Sequence, residues 1–495
     1  MVSFYYFWQL IMPLCFMDTS ITGREDEIQI LERLLESPRP ELLAVYGRRR
    51  VGKTFLIKTY YKPNIVFSCS GQHLGKTAEQ LLNFAERLNE FFPRRKAAYV
   101  PGTWQEAFRQ LEECINGIKH QKKKVVFFDE LPWLDGHKSG FLSSFSYFWN
   151  MYAERRDDLI VVICGSAASW IIEKVINNKG GLHNRITQRI RLLPFTLHET
   201  ELYLRRRNIH LDRYQLLQLY MVMGGIPHYL NAVERGKSAT QNIDKACFSK
   251  DGVLANEFNN LYAALFNSPE KHVQLIKALA QKNKGLTRGE LLKTGKLLTG
   301  GAITTILNEL TESGFVEKVY PFENLEKNAL YRLTDEFSLF YFKCMHGARA
   351  AGKAGWAGIS NSKAYASWCG YAFENICFAH TLQIKKALQI AGVLSSQHSW
   401  YKAGADNEGG AQIDLLIDRT DNCINLCEMK FSTAPFTIDK KYAAALRERI
   451  MIFRRYTNVR KTLLLTFITT YGLVDNEYKQ QLADGEIAMD ALFAR

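Results

Sequence analysis

Short unbroken apolar runs alternate with stretches whose apolar residues recur at helical spacing. Leu42 to Tyr46, Val125 to Phe128 and Leu159 to Cys164 are apolar on both faces, the mark of buried strands, and Asn64 to Cys69 reads as a further strand. Between and around them, Ile28, Leu31, Leu34 and Leu35, then Leu81, Leu82 and Phe84, then Trp104, Phe108 and Leu111 predict amphipathic helices. This alternation predicts an α/β core. From 196 to 270 the pattern is helical only, with Leu202, Leu204, Leu216, Leu217 and Leu219 among its apolar positions. Residues 271–345 predict three short helices (around Val273–Leu279, from Leu286, and over Gly301–Ser313) and two strands, Phe315–Tyr320 and Ala329–Leu333. Helices followed by a hairpin are the order of a winged helix–turn–helix. A Gly/Ala-rich stretch, 343–362, reads as a linker. Beyond it come a helix through Phe373 and Cys377, strands over Ala411–Asp418 and Cys423–Lys430, and a later strand at Leu463–Phe467. The expected segments are an N-terminal extension (1–20), a core (21–195), a helical lid (196–270), a winged helix (271–345) and a C-terminal α/β domain (346–495).

The first apolar run breaks into Gly47-Arg48-Arg49-Arg50-Val51-Gly52-Lys53-Thr54, and a helical pattern resumes at Lys53. Strand, G-x-x-x-x-G-K-T and helix are the parts of a phosphate-binding loop. Its glycines let backbone N–H groups turn toward phosphates, and the helix start adds its positive dipole end. Lys53 is the point charge for the β- and γ-phosphates, and Thr54 is a hydroxyl ligand for Mg²⁺. The run Val125–Phe128 ends in Asp129-Glu130, which places Asp129 toward the metal and Glu130 beside the attacking water. Ser166 closes the next strand as the small polar residue near the γ-phosphate. ATP and Mg²⁺ are the implied cofactors. Arg185 reads as an arginine finger toward a neighbouring subunit or as part of a solvated strand face. The Gly224-Gly225-Ile226-Pro227 turn reads as a backbone approach to a flat group such as adenine or as a helix–helix corner.

A second constellation lies in the C-terminal hairpin. Asp414 falls beside Glu428, and period-2 geometry puts Glu428 and Lys430 on one face. Helical Glu374 completes a carboxylate set for Mg²⁺, with Lys430 beside an attacking water or scissile phosphate. Glu-x-Lys alone is also an ordinary same-face ion pair.

The chain of 495 residues is too long for one core and calls for about three or four domains. Its net charge of +14 favours a polyanionic partner, DNA first. Ten cysteines without a C-x-x-C pair exclude a disulfide framework and a zinc site, and predict reduced thiols in the cytoplasm. The apolar stretch Met1–Met17 lacks a basic n-region and is short for a bilayer, so no membrane association is expected.

Together, Gly47–Thr54, Phe128-Asp129-Glu130-Leu131-Pro132-Trp133-Leu134, Gly224–Pro227, and Ile413-Asp414 with Glu428-Met429-Lys430 resemble the archaeal-type ATPases of the STAND/AAA+ neighbourhood that end in a PD-(D/E)XK nuclease-like domain. The resemblance covers essentially the whole chain from Ile21. It implies a P-loop NTPase core of the additional-strand type, a helical lid, a winged helix and a restriction-endonuclease-like α/β domain. It further implies that Gly47 to Thr54, Asp129, Glu130 and Ser166 serve ATP and its metal, and that Asp414, Glu428 and Lys430 form a nuclease core. Ile413 departs from the proline in the superfamily's name. The expected function is an ATPase whose nucleotide state is coupled to a nucleic-acid-directed C-terminal domain, with Mg²⁺-dependent DNA cleavage as the activity that domain could add and a homo-oligomer as a candidate assembly. The alternative is a signalling switch whose C-terminal domain only binds DNA or a protein.

Overall fold

The computed structural model describes residues 21–495 apart from 94–98, 120–121, 167, 178–179, 183, 267, 283, 297–300, 323–328, 348–355, 361 and 405–408. The expected N-terminal extension and the tip of the expected hairpin at 323–328 lie outside the described residues. The chain divides into two compact units, 1–193 and 194–495.

The first unit holds a five-stranded sheet of β1 (Glu41–Tyr46), β2 (Ile65–Ser70), β3 (Lys124–Asp129), β4 (Leu159–Gly165) and β5 (Gln188–Arg191), in the order β2-β3-β4-β1-β5. All four pairings are parallel. β3 and β4 are buried at every position, as a parallel sheet requires when helices cover both faces. Phe84, Phe108, Phe128, Phe141 and Phe145 fill the core between β2–β4 and the helices Thr77–Phe91, Trp104–Asn116 and Phe141–Met151. β4 stands between β1 and β3, so the strand of the phosphate loop and the strand of the acid pair are not neighbours. Tyr46 is level with Gly165, and Phe128 with Ile163. The carboxyl ends of the three strands therefore open at one edge of the sheet, where such folds place their ligands. The basic–apolar run at 184–195 forms a strand only over Gln188–Arg191.

The second unit begins with helices, among them Leu197–Arg206, Arg213–Met223 and Glu257–Leu265. Helices Glu270–Leu279, Arg288–Thr294 and Gly301–Glu312 follow, with an antiparallel sheet of β6 (Leu286–Thr287), β7 (Val316–Val319) and β8 (Leu330–Leu333) in the order β6-β8-β7. Leu286 and Thr287, expected to open a helix, instead pair with β8, and Thr287 caps the helix from Arg288. The terminal sheet contains β9 (Ser395–Lys402), β10 (Ala411–Arg419), β11 (Cys423–Lys430), β12 (Thr462–Thr469) and β13 (Gly485–Ala488), in the order β13-β12-β11-β10-β9. β9–β10–β11 are antiparallel and β11–β12–β13 parallel. Leu416, Ile424, Leu426, Leu465 and Phe467 pack against Ala443, Leu446 and Phe453 of the helix Lys440–Thr457. The nine described cysteines are free thiols. No described helix is long and apolar enough to cross a membrane.

Candidate functional site

At the end of β1 the backbone turns sharply at Gly47, where φ is +142° and a Cβ would lie 2.3 Å from the Leu192 carbonyl oxygen. Only glycine fits there. Arg50 and Gly52 also take positive φ, and Gly52 caps the helix Lys53–Tyr60 with no side-chain hydrogen bond. Arg48 and Val51 are buried, and Arg49 and Arg50 half-buried. Arg24 donates to the Val51 carbonyl (3.2 Å) and braces the loop. This residue was legible in the sequence only as part of a helix opening.

Lys53 is 5% exposed; its Nζ donates to the carbonyls of Gly47 (2.9 Å) and Arg48 (2.8 Å) and to Ser166 Oγ (3.3 Å). Burial lowers its pKa, against the pull of Cys164, Glu130 and Asp129. Thr54 Oγ1 lies 2.9 and 3.1 Å from the two carboxylate oxygens of Asp129. Glu130, in a left-handed conformation (φ 44°), accepts from the Ser166 hydroxyl (2.6 Å) and backbone N–H (3.0 Å). The structure thus brings Lys53, Thr54, Asp129, Glu130 and Ser166 into one network at the sheet edge. A hydroxyl and a carboxylate in contact are hard oxygen donors of the kind Mg²⁺ takes, and a buried ammonium held by neutral carbonyls suits an incoming phosphate. The residues fit an ATP–Mg²⁺ pair.

Arg185 is paired with Glu154 of its own unit. The Gly224-Gly225 turn is a corner between the helices Arg213–Met223 and Pro227–Leu230. It is clamped by hydrogen bonding of Phe195 N–H to the Gly225 carbonyl (2.8 Å), and a Cβ on Gly225 would lie 2.1 Å from the Phe195 oxygen. The close approach made by this turn is to the chain's own backbone.

In the second unit, Lys430 Nζ lies 2.8 Å from Glu428, the same-face pair that period-2 geometry requires. Two residues not singled out in the sequence, Tyr442 and Arg449, donate to Glu428 from the helix Lys440–Thr457. Burial opposes the charge of Glu428, but Lys430 and Arg449 outweigh it and keep the carboxyl low. Asp414 sits differently. The β9–β10 register shifts between Ile413 and Leu416, yet both pack in the same core cluster. A bulge of this kind re-aims the residues it spans. Asp414 accepts from Gln412 and lines a cavity with Glu374, without Glu428 or Lys430 on its described wall. Burial, then Asp414, push the Glu374 carboxyl up to about 8, and burial also raises that of Asp414. Among the described residues no three His, Cys, Asp or Glu side chains are grouped to hold a metal ion. Glu374, Asp414, Glu428 and Lys430 thus differ in their hydrogen-bond partners, yet the charges of Glu428 and Lys430 still act on both Glu374 and Asp414.

Known proteins bear on the first unit most directly. Residues 21–233 match the family described as an ATPase domain predominantly from Archaea. An uncharacterized protein of Methanocaldococcus jannaschii is 25% identical over 397 residues, which are 79% of this chain and 83% of that one. An uncharacterized ATP-binding protein of the same organism is 49% identical over 38 residues, 8% of this chain and 64% of that one. Among solved structures, the Walker-type ATPase of Pyrococcus abyssi aligns with a TM-score of 0.49 at 18% identity, covering 65% of this chain and 96% of that one. The chain carries, over residues 21–233, an ATPase domain of the archaeal type.

Proposed function

We propose that the chain binds and hydrolyses ATP at the edge of the first sheet and uses nucleotide state to control a nucleic-acid-directed second unit. The observation that carries the first half is the network Lys53–Ser166–Glu130 beside Thr54–Asp129. The loop 47–54 cradles the phosphates, Lys53 exchanges its carbonyl partners for phosphate oxygens, and Glu130 orients and polarises the attacking water. Thr54 and Asp129 are the residues that would hold Mg²⁺, and the ion would supply neutralisation of phosphate charge. Three helices with a β-hairpin, read as a winged helix, and the net charge of +14 support a DNA partner for the second unit.

The carboxylates of the terminal sheet are compatible with Mg²⁺-dependent cleavage, carried by the Glu428–Lys430 pair. A second reading, binding without cleavage, is favoured by one observation: Tyr442, Arg449 and Lys430 all engage the Glu428 carboxylate. ATP hydrolysis by wild type, lost in Lys53→Ala, tests the ATPase. Plasmid and linear DNA incubated with Mg²⁺ or Mn²⁺, with and without ATP, tests the rest. Cleavage lost in Lys430→Met, with DNA binding kept, establishes the nuclease; DNA retained intact but shifted on a gel leaves the binding module.

A further inference from the structure

Nε and Nη2 of Arg332 are buried and have no hydrogen-bond partner among the described residues. Arg332 sits on β8 and is 7% exposed. Its guanidinium lies 3.5 Å from the centroid of the Phe378 ring. Such a contact fixes the group and leaves its N–H donors for another partner. Nε–H and Nη2–H point along one edge of the guanidinium, the parallel pair that matches two oxygens of an oxyanion. Glu374 and Asp414 feel its charge, yet neither accepts from these two nitrogens. A desolvated cation with an unfilled two-donor edge is an unfavourable arrangement unless a ligand or water completes it.

Arg332 lines a cavity of about 220 Å³, bounded also by Lys284, Glu374, Tyr401, Gln412 and Asp414. Lys284 lies over the Tyr401 ring, its Nζ 3.3 Å from the centroid, and gives the wall a second cation. The cavity therefore lies between the three-stranded sheet and the terminal sheet, both within the second unit. We propose that this cavity binds a phosphodiester of a nucleic-acid strand, with Arg332 as its two-donor anchor and Lys284 as a supporting charge. The proposal rests on the nucleic-acid reading above and names the phosphate contact that serves it. A phosphodiester carries one charge, so the two cations meet it against the carboxyls of Glu374 and Asp414 more easily than they meet a dianion. Phosphate contacts position a strand without reading its sequence, so binding here is expected to be insensitive to base identity.

The test is fluorescence anisotropy of a labelled single-stranded oligodeoxynucleotide with the full chain, as wild type, Arg332→Met, Arg332→Lys and Lys284→Ala. Arg332→Met is expected to weaken binding about tenfold or more, the effect of one lost charge-assisted pair. Arg332→Lys, which keeps charge but not the fork, and Lys284→Ala should fall between it and wild type. Should Arg332→Met fail to fold, these two variants carry the test. Unchanged affinity in the folded variants overturns the site while leaving the nucleic-acid reading standing. If wild type binds no oligonucleotide, that reading fails. Calorimetry with inorganic phosphate, in a Lys53→Ala background that disables the first unit's loop, then decides the site. Phosphate binding lost in Arg332→Met retains an oxyanion site for a small phosphate. No phosphate binding, or Mn²⁺ binding that tightens in Arg332→Met, overturns it.

Discussion

Ser166 holds Glu130 by both carboxylate oxygens, through its hydroxyl at 2.6 Å and its backbone N–H at 3.0 Å. The contact joins the residue that follows β3 to the residue that follows β4, strands adjacent in the sheet. It fixes an acid whose backbone is already in the left-handed region, an uncommon state for a non-glycine residue. Since Ser166 Oγ also accepts from Lys53, a phosphate that draws Lys53 away changes the partner set of the serine holding Glu130.

Glu130→Gln is expected to lower the turnover of ATP about 10²- to 10⁴-fold, the span of a lost general base, with ATP affinity nearly unchanged. Ser166→Ala keeps the backbone donor and loses the hydroxyl, so a smaller fall, about tenfold, is expected. Steady-state hydrolysis beside binding of a non-hydrolysable analogue separates the two quantities. A Glu130→Gln protein that hydrolyses ATP at the wild-type rate would remove Glu130 from the catalytic assignment.

The two glycines of the loop differ in what they tolerate. At Gly52 (φ +94°) an added Cβ meets nothing within 4 Å, so alanine incurs only backbone strain, about 1 kcal/mol. At Gly47 the same Cβ would lie 2.3 Å from the carbonyl oxygen of Leu192, whose N–H donates to the Tyr46 carbonyl (2.8 Å). Gly47→Ala should therefore destabilise the protein more than Gly52→Ala. Urea denaturation without nucleotide checks the ranking, and the reverse order would contradict the loop geometry.

What could be read in the sequence follows from where each residue's partners lie. β1, β3 and β4 were legible because strands covered on both faces must be apolar throughout. β9, Ser-Ser-Gln-His-Ser-Trp-Tyr-Lys, was not: it is an edge strand whose one fully buried residue is Trp400. β13 is four residues long, too short for a period. The loop 47–54 announced itself because its parts are contiguous. Arg332 gave no signal, since Phe378 and the cavity wall come from distant segments. Asp414 was expected beside Glu428 because the two lie on paired strands of one hairpin, and the register shift between Ile413 and Leu416, which no sequence pattern announces, re-aims it. Tyr442 and Arg449 are seven apart and share a helix face, but no local pattern shows that this face meets Glu428.

Glu428 is a structural keystone of the terminal sheet as well as a candidate ligand. It is 9% exposed, and removing it would leave Lys430 and Arg449 without their shared carboxylate. Glu428→Ala is expected to lower stability by about 2 kcal/mol, less than for a fully buried pair, because Lys430 and Arg449 are partly exposed and can turn to water. Tyr442→Phe, which removes one neutral donor, should lower it by about 1 kcal/mol. Chemical denaturation of both variants checks the difference. An unaltered midpoint in Glu428→Ala would show that the carboxylate contributes nothing to the fold, and any loss of DNA cleavage in that variant would then report chemistry alone.

His380 supplies the pH dependence. It is 1% exposed, and its Nε2 accepts from the Leu197 N–H at 3.0 Å, so the proton resides on Nδ1, which donates to the Ile376 carbonyl at 2.8 Å. Burial lowers its pKa to about 4, against small opposing effects from the Ile376 carbonyl and Glu199. Protonating Nε2 would set one N–H against another. The unfolded chain takes up this proton near pH 6.5 and the folded chain only near 4, so the associated stability is full above 6.5 and falls as the pH drops between the two values. About 2 kcal/mol should be lost between pH 7 and pH 5 at about 1.4 kcal/mol per unit. Denaturation of the second unit, followed at both pH values, measures it. His380→Phe, less stable at pH 7 because Leu197 loses its acceptor, should lose that much less stability over the same interval. An equal loss in both proteins would place the sensitivity on other groups.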